Sequence, residues 1–337
     1  MKRLLSAVAL CTGVLFAQQA FAQQAVAQQA FAQQAKRPRL VGISRIVVRA
    51  HSLDESRKFY GDLLGFQEAI TVRKDRTAVT GGALPADQVS EVHFKVNNRQ
   101  YIVVMPESAP DEVRFARYAI ETDDIEAMRA YLKVTAKVET TATGDLAFQT
   151  SDPDGTPIEI MQYTAKSLSV QSVGKYLSDA GTSRRIIHAG FSISKPETVR
   201  FYRETLATRE FWRSDSTMAT FGRPSPKVTG QVLSGTSNMK LPESDDYVEW
   251  SVSRTGSPSK TAGHIALLTP VNMEKTLADV KSRAAFKTYK QKHEAHVGVN
   301  HKWQGNFFDP DGTRTEFMEH DTVDGLPSPL SKAPFFP

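Results

Sequence analysis

Two stretches of this chain, DPDGTPIEIMQY at residues 152–163 and DPDGTRTEFMEH at residues 309–320, repeat the same turn and the same following strand. The turn has a simple cause. Proline fixes φ, aspartate hydrogen-bonds its own backbone and glycine accepts positive φ, so the chain reverses sharply there. The glutamate four residues after each glycine, Glu159 or Glu316, sits in an alternating apolar run that reads as a half-buried strand. A carboxylate buried in that way needs a partner. The chain is therefore expected to fold as two copies of one unit, each with a partner for its glutamate.

The duplication extends well beyond the turn. ISRIVVRAHSLDESRKFYGDLLGF at 43–66 matches RIIHAGFSISKPETVRFYRETLATREF at 185–211: an alternating strand, a polar turn, then a helix carrying Phe-Tyr and Leu. Asp54/Glu55 and Pro196/Glu197 are good helix openers. A second strand–helix pair follows in each half, in RFARYAIETDDIEAMRAYLKV at 114–134 and GHIALLTPVNMEKTLADVKSR at 263–283. Short alternating runs then lead into the repeated turn, which gives four strand–helix–strands units, two per half. Residues 165–184 are polar and Ser-rich, as a linker would be, and the Pro-rich tail 323–337 reads as an extended strap.

Length and composition set looser bounds. The 337 residues make room for about two domains of ~150 residues. A net charge of +5 without a basic run interleaved with aromatics gives no reason to expect a nucleic-acid partner. The N-terminus, MKRLLSAVALCTGVLFAQQAFAQQ, has Lys2 and Arg3, a short apolar run and then small-x-small sites, the layout of a secretory signal peptide and too short to span a bilayer. Residues 1–22 are the expected signal, with equivalent sites after Ala27 and Ala32, and residues 23–39 are a low-complexity Ala/Gln spacer. The expected location is therefore the periplasm or the medium. Cleavage would lower the net charge to +3 by removing two basic residues and no acidic one, and would remove Cys11, the only cysteine. The mature chain would then have no disulfide and no thiolate ligand or nucleophile.

Paired βαβββ units, a helix-borne FYGDLLGF and a closing DPDGTxxE resemble the vicinal oxygen chelate superfamily, which includes glyoxalase I, bleomycin-resistance proteins and extradiol ring-cleavage dioxygenases. The resemblance covers roughly residues 40–322. It implies an α+β protein of two tandem modules, residues 40–164 and 185–322, each a pair of βαβββ units whose curved mixed sheet surrounds a cavity. It implies a small-molecule substrate, and often a divalent metal on the inner face.

The family pattern puts metal ligands on the first strand of each unit and on the last strand of a module. In the second half these positions hold His188, His264 and Glu316, a two-histidine, one-carboxylate set. Fe(II) or Mn(II) is the favoured ion, and Zn(II), Ni(II) or Co(II) would accept the same ligands. Glu249 in YVEWSVS is a fourth candidate, at a position where glyoxalase-like relatives carry an additional ligand; the other reading is a solvent-facing strand glutamate. In the first half the matching positions are Arg45, Arg117 and Glu159, and Val103 matches Glu249. Arginine offers a metal no lone pair. Module 1 is thus expected to lack an ion and to hold Glu159 between two guanidinium groups, in a network that is structural or anion-binding.

Ligand count bears on reaction class. Three protein ligands leave room for two exogenous groups, as oxygen activation needs, whereas four favour Lewis-acid work such as isomerisation or group addition. Tandem modules with a metal set confined to the second resemble the extradiol dioxygenases. Asn306 departs from them, because those relatives usually place a tyrosine ten residues before the glutamate. Asn306, His296 and His301 are the candidates for hydrogen-bonding or acid–base work beside the ion, while His51, His93, His293 and His320 match no ligand position. The resemblance therefore implies a metal-dependent dioxygenase, with a glyoxalase-like lyase or isomerase and a non-catalytic small-molecule-binding protein as alternatives.

Overall fold

The computed structural model describes residues 36–334 except 111, 233 and 254, and Arg39–Pro337 form one compact unit. The signal and spacer segments read from the sequence lie outside the described residues, apart from 36–39. Among the described residues no helix is long and apolar enough to cross a membrane.

Two curled mixed sheets dominate an α+β fold. The first is built from β1 (Leu40–Ala50), β2 (Gln67–Arg73), β3 (Ala78–Thr80), β4 (Val89–Lys95), β5 (Tyr101–Pro106), β6 (Phe115–Thr122), β7 (Glu139–Thr140), β8 (Leu146–Ser151) and β9 (Pro157–Gln162). Their order in space is β3-β2-β4-β5-β1-β6-β9-β8-β7. The second comprises β10 (Ile186–Ile193), β11 (Arg209–Asp215), β12 (Ser234–Lys240), β13 (Tyr247–Val252), β14 (His264–Leu268), β15 (His293–Val297), β16 (Lys302–Phe308) and β17 (Arg314–Thr322). Its order is β11-β12-β13-β10-β14-β17-β16-β15, so the two sheets share one plan. Within each unit the first and last strands pair in parallel, and the two units of a sheet join through the antiparallel pairs β1/β6 and β10/β14. This antiparallel seam puts first-strand and last-strand residues of both units in one row.

The repeated Asp-Pro-Asp-Gly turns tie the modules to each other. Asp152 and Asp309 each take a backbone N–H four residues on, from Thr156 and Thr313, and Gly155 and Gly312 sit at positive φ, as the motif requires. The second oxygen of each aspartate reaches the other module: Tyr202 Oη donates to Asp152 at 3.1 Å and Tyr60 Oη donates to Asp309 at 3.0 Å. Both tyrosines come from the Phe-Tyr helices. These helices start normally, at Leu53–Ser56 and Pro196–Arg200, and widen over Arg57–Leu63 and Phe201–Thr205, where Leu64 N–H and Leu206 N–H reach back five residues. The turns' other aspartates also cross over. Asp154 accepts from Ser194 N–H, Lys195 N–H and the Thr198 hydroxyl at the start of the second Phe-Tyr helix, while Asp311 accepts from His51 N–H just before the first.

The Ser-rich stretch between the modules is packed rather than loose. Ser167, Ser169, Ser172, Thr182 and Ser183 are buried, and the buried Lys95 ammonium donates to the carbonyls of Ser172 and Lys175. The tail lies along the outer strand β11, where Trp212 Nε1 donates to Pro329 O and Ser331 Oγ donates to Asp215.

Candidate metal centre

The central strands of the second sheet carry a cluster of four donors on the concave face. Register explains it. Gly190 on β10 pairs with Glu249 on β13 and with His264 on β14, His188 pairs with Ala266, and Ala266 pairs with Glu316 on β17. The donor atoms of His188, Glu249, His264 and Glu316 lie within 4.8 Å of one another. The two imidazole Nε2 atoms stand 3.1 Å apart, and Glu316 Oε2 is 3.4 Å from each. Glu249 is set further back, 3.5 Å from His264 and 3.9 Å from His188, and is the most exposed of the four at 15% of its side chain.

These groups fit a divalent first-row ion. His264 Nδ1 lies 2.9 Å from Ala262 O, which can only accept, so Nδ1 carries the proton and Nε2 turns its lone pair to the cluster. Glu316 Oε2 is buried with no hydrogen-bond partner, an arrangement that is costly unless a cation sits beside it. Two imidazoles and two carboxylates are a donor set that zinc, manganese, iron or nickel would accept. Burial raises the pKa of Glu316, but the Arg314 guanidinium and the two imidazoles outweigh that and hold its carboxyl well below the usual range. Arg314 Nη2 stands 2.7 Å from His264 Nε2, donating to the lone pair that an ion would take.

Gly190 is a steric requirement of this site. A Cβ there would come within 1.7 Å of His264 Cε1, so any larger residue displaces the ring. The position two residues after the first ligand is Val47 in module 1, and Val47 is buried.

Two amides flank the carboxylates. Asn306 on β16 pairs with Glu316 and Asn238 on β12 pairs with Glu249; both are buried, and each has an Oδ1 with no partner. Asn306 Nδ2 makes a long contact of 3.5 Å with Glu294. The other two histidines singled out in the sequence are not brought to the cluster. His301 sits at positive φ with Nδ1 2.8 Å from Asp324, against the ring of Phe221. His296 lies on the edge strand β15 opposite Gln304. Sequence reasoning missed Arg314, Tyr247 and Asn238. Arg314 and Tyr247 lie two residues before Glu316 and Glu249, a spacing that puts them on the same strand face. Asn238 had no such signal, because only the β12/β13 register brings it beside Glu249.

Module 1 fills the equivalent place with cations. Arg45 Nε donates to Glu159 Oε1 at 2.7 Å, and Arg117 Nε and Gln149 Nε2 donate to Glu159 Oε2 at 3.0 and 2.6 Å. Arg45 Nη1 also reaches Asp145 at 3.1 Å, and the Thr143 hydroxyl donates to the same carboxylate oxygen. Burial pushes the Glu159 pKa up, but Arg45 and Arg117 outweigh it and hold the carboxyl below its ordinary value. Glu159 is thus ionised and fully bonded by guanidinium and amide donors. Asp145 and Gln149 are members of this network that the sequence did not suggest.

Comparison with known proteins agrees with this architecture. Residues 42–160 match the family model of the Glyoxalase/Bleomycin resistance protein/Dioxygenase superfamily. No curated protein matches the chain by sequence. Among solved structures, the Mn(II)-bound glyoxalase from Novosphingobium aromaticivorans aligns with a TM-score of 0.57 at 16% identity, over 84% of this chain and 83% of that one. An extradiol ring-cleaving dioxygenase from B. fuscum aligns with a TM-score of 0.59 at 16% identity, over 88% and 76%. The 2,3-dioxygenase LapB from Pseudomonas sp. KL28 aligns with a TM-score of 0.57 at 14% identity, over 87% and 98%. At these identities the likeness is one of fold.

Proposed function

We propose that this chain, whose first module is a domain of the glyoxalase/bleomycin resistance/dioxygenase superfamily, is an exported metal-dependent enzyme acting by Lewis-acid chemistry on a small substrate with two adjacent oxygens. The observation that carries the reading is the fourth donor: Glu249 joins His188, His264 and Glu316 in one cluster. A bound divalent ion would polarise the substrate oxygens and lower the pKa of a chelated hydroxyl. With a divalent ion bound, the charges around the cluster would favour a negatively charged partner there. Glu249, Glu316 and Arg314 leave one net negative charge between them, which a divalent ion turns into one net positive charge suited to an oxyanion. Asn306 stands beside Glu316 with an unpaired amide oxygen, placed to accept a hydrogen bond from a substrate hydroxyl. Tyr247 and Met318 meet across the cup, with Tyr247 Oη 3.8 Å from Met318 Sδ, and keep bulk water from the imidazole of His188, whose ring centroid is 4.6 Å from that of Tyr247.

An extradiol dioxygenase is the second reading, and the set-back position of Glu249 favours it. Glu249 lies 3.9 Å from His188 against 3.4 Å for Glu316, so a three-donor set is the tighter group. Anaerobic reconstitution with Fe(II), Mn(II), Zn(II) or Ni(II), followed by a catechol panel and a 2-oxoaldehyde–thiol panel with oxygen uptake recorded, separates the two. Lewis-acid chemistry requires turnover without oxygen. Oxygen uptake on a catechol, with Fe(II) or Mn(II) only, would replace this proposal with the dioxygenase. Glu249→Gln adds an independent measure, since losing a true fourth ligand lowers metal affinity at least about tenfold.

A further inference from the structure

The second module contains a cavity of about 510 Å³ that includes none of the four donors yet adjoins them on the same concave face. Its floor is apolar and aromatic. Phe211 meets Tyr247 edge-on with ring centroids 5.0 Å apart, Tyr247 in turn meets His188, and Met318 lies two residues beyond Glu316. A row of rings therefore leads from the cavity to the donor cluster. Phe211 is 46% exposed, a large apolar surface for water to cover at the mouth of a cavity.

The cavity also has polar features that the protein leaves unanswered. Asn238 is 3% exposed, lines the cavity and lies opposite Glu249, and its Oδ1 has no hydrogen-bond partner among the described residues. A buried amide oxygen without a partner is costly and is expected where a ligand supplies one. At the rim, Arg185 is matched by Asp246 and Lys240 by Asp245. Arg209 has no ion-pair partner among the described residues, and the Lys302 ammonium donates only to the carbonyl of His320. Arg209 and Lys302 thus face the cavity without an ion pair of their own among the described residues, with Asp321 near Lys302 and with Asp245 and Glu319 elsewhere in the lining.

Resting on the Lewis-acid reading above, we infer that the substrate is an amphipathic carboxylate. Its apolar body packs on Phe211, Tyr247 and Met318, its carboxylate sits at Arg209 and Lys302, and a polar group near its middle bonds to Asn238. The carboxylate supplies the ion-pair partner that Arg209 and Lys302 lack among the described residues. Guanidinium recognises it through two parallel N–H donors and ammonium as a point charge. The oxygens at the other end of the molecule then point toward the donor cluster, beyond the Tyr247–Met318 contact.

Phenylacetate and its neutral near-isostere phenylacetamide test the assignment. Both are titrated by calorimetry or NMR against the full chain, once loaded with Mn(II) and once treated with chelator. The expected result is that phenylacetate binds at least tenfold more tightly than the amide, with or without metal, and that Arg209→Gln or Lys302→Gln removes most of that preference while leaving phenylacetamide unchanged. Phe211→Ala is expected to weaken both compounds alike. Binding in the chelated protein keeps this result separate from the metal reading: loss of turnover with retained acid preference would leave the substrate class standing and overturn the Lewis-acid chemistry. Equal binding of acid and amide, no binding of either, or an acid preference untouched by both Gln variants overturns the inference.

Discussion

The two modules answer one electrostatic problem in two ways. Each buries a glutamate on its last strand, Glu159 or Glu316, in the middle of a curved sheet, and each needs positive charge beside it. Module 1 uses Arg45 and Arg117, carried on β1 and β6, the strands equivalent to β10 and β14 that carry His188 and His264 in module 2. The neighbouring positions change with them. Val47 fills the space that Gly190 leaves open for the His264 ring, and Val103 stands where module 2 has Glu249. A fixed guanidinium pair needs no ion but does no chemistry, whereas imidazoles and carboxylates leave room for a cation that can exchange ligands. The difference teaches that this fold separates the stability of its central row from its reactivity.

The largest expected effect comes from taking the donors out of module 2. A His188→Ala, His264→Ala chain should fall from about one divalent ion to none by elemental analysis after dialysis, because two carboxylates alone hold a first-row ion poorly. Gly190→Ala should have nearly the same result through a single methyl group, since its Cβ would overlap the His264 ring. Full metal content in either variant would break the comparison.

Module 1 should respond in stability instead. Arg45→Ala leaves Asp145 without an ion pair and Glu159 with Arg117 as its one remaining guanidinium, and should cost about 3–5 kcal/mol by denaturant unfolding, with metal content unchanged. A loss below ~1 kcal/mol would mean that the guanidinium is not the glutamate's necessary partner.

The turns bring a pH dependence. Burial, with Asp311 nearby, pushes Asp309 up to about 6, and burial also pushes Asp152 up. The folded chain therefore holds a proton on Asp309 between about pH 4 and 6 that the unfolded chain has released, so stability declines as pH rises through that window, by on the order of 3 kcal/mol. Asp309→Asn should flatten the stability curve over this range. A slope unchanged from that of the parent protein would refute the assignment.

The smallest effects sharpen the pseudo-symmetry. Tyr60→Phe removes one donor from Asp309 and should cost about 1–3 kcal/mol. Tyr202→Phe should cost more than Tyr60→Phe, because Tyr202 also pairs with the Tyr118 hydroxyl at 2.8 Å. Equal losses would show that the extra tyrosine contact carries no weight.

Much of this was legible in the sequence. Alternation, turn chemistry and repetition are local, so the four units and the like positions in both halves could be read from residue spacing alone, and the residue types at those positions distinguished an imidazole pair from a guanidinium pair. The reading was weaker wherever the answer lay across strands. His296 and His301 looked suitable by type and neighbourhood, but the edge position of β15 and the Asp324 contact hold them elsewhere. A strand glutamate can face either side, and only the β10/β13 register turns Glu249 inward.

The sequence by itself determined the duplication, the chemistry available at each central position and the pairing of glutamate with either arginine or histidine, because these depend on residue identity and short periodicity. The tertiary structure alone decided that each turn braces the other module's helix, that Gly190 makes room for His264, and that Asn238 comes to lie beside Glu249. These are contacts between residues tens to hundreds of positions apart, fixed by strand register and sheet curvature, and no local pattern encodes them.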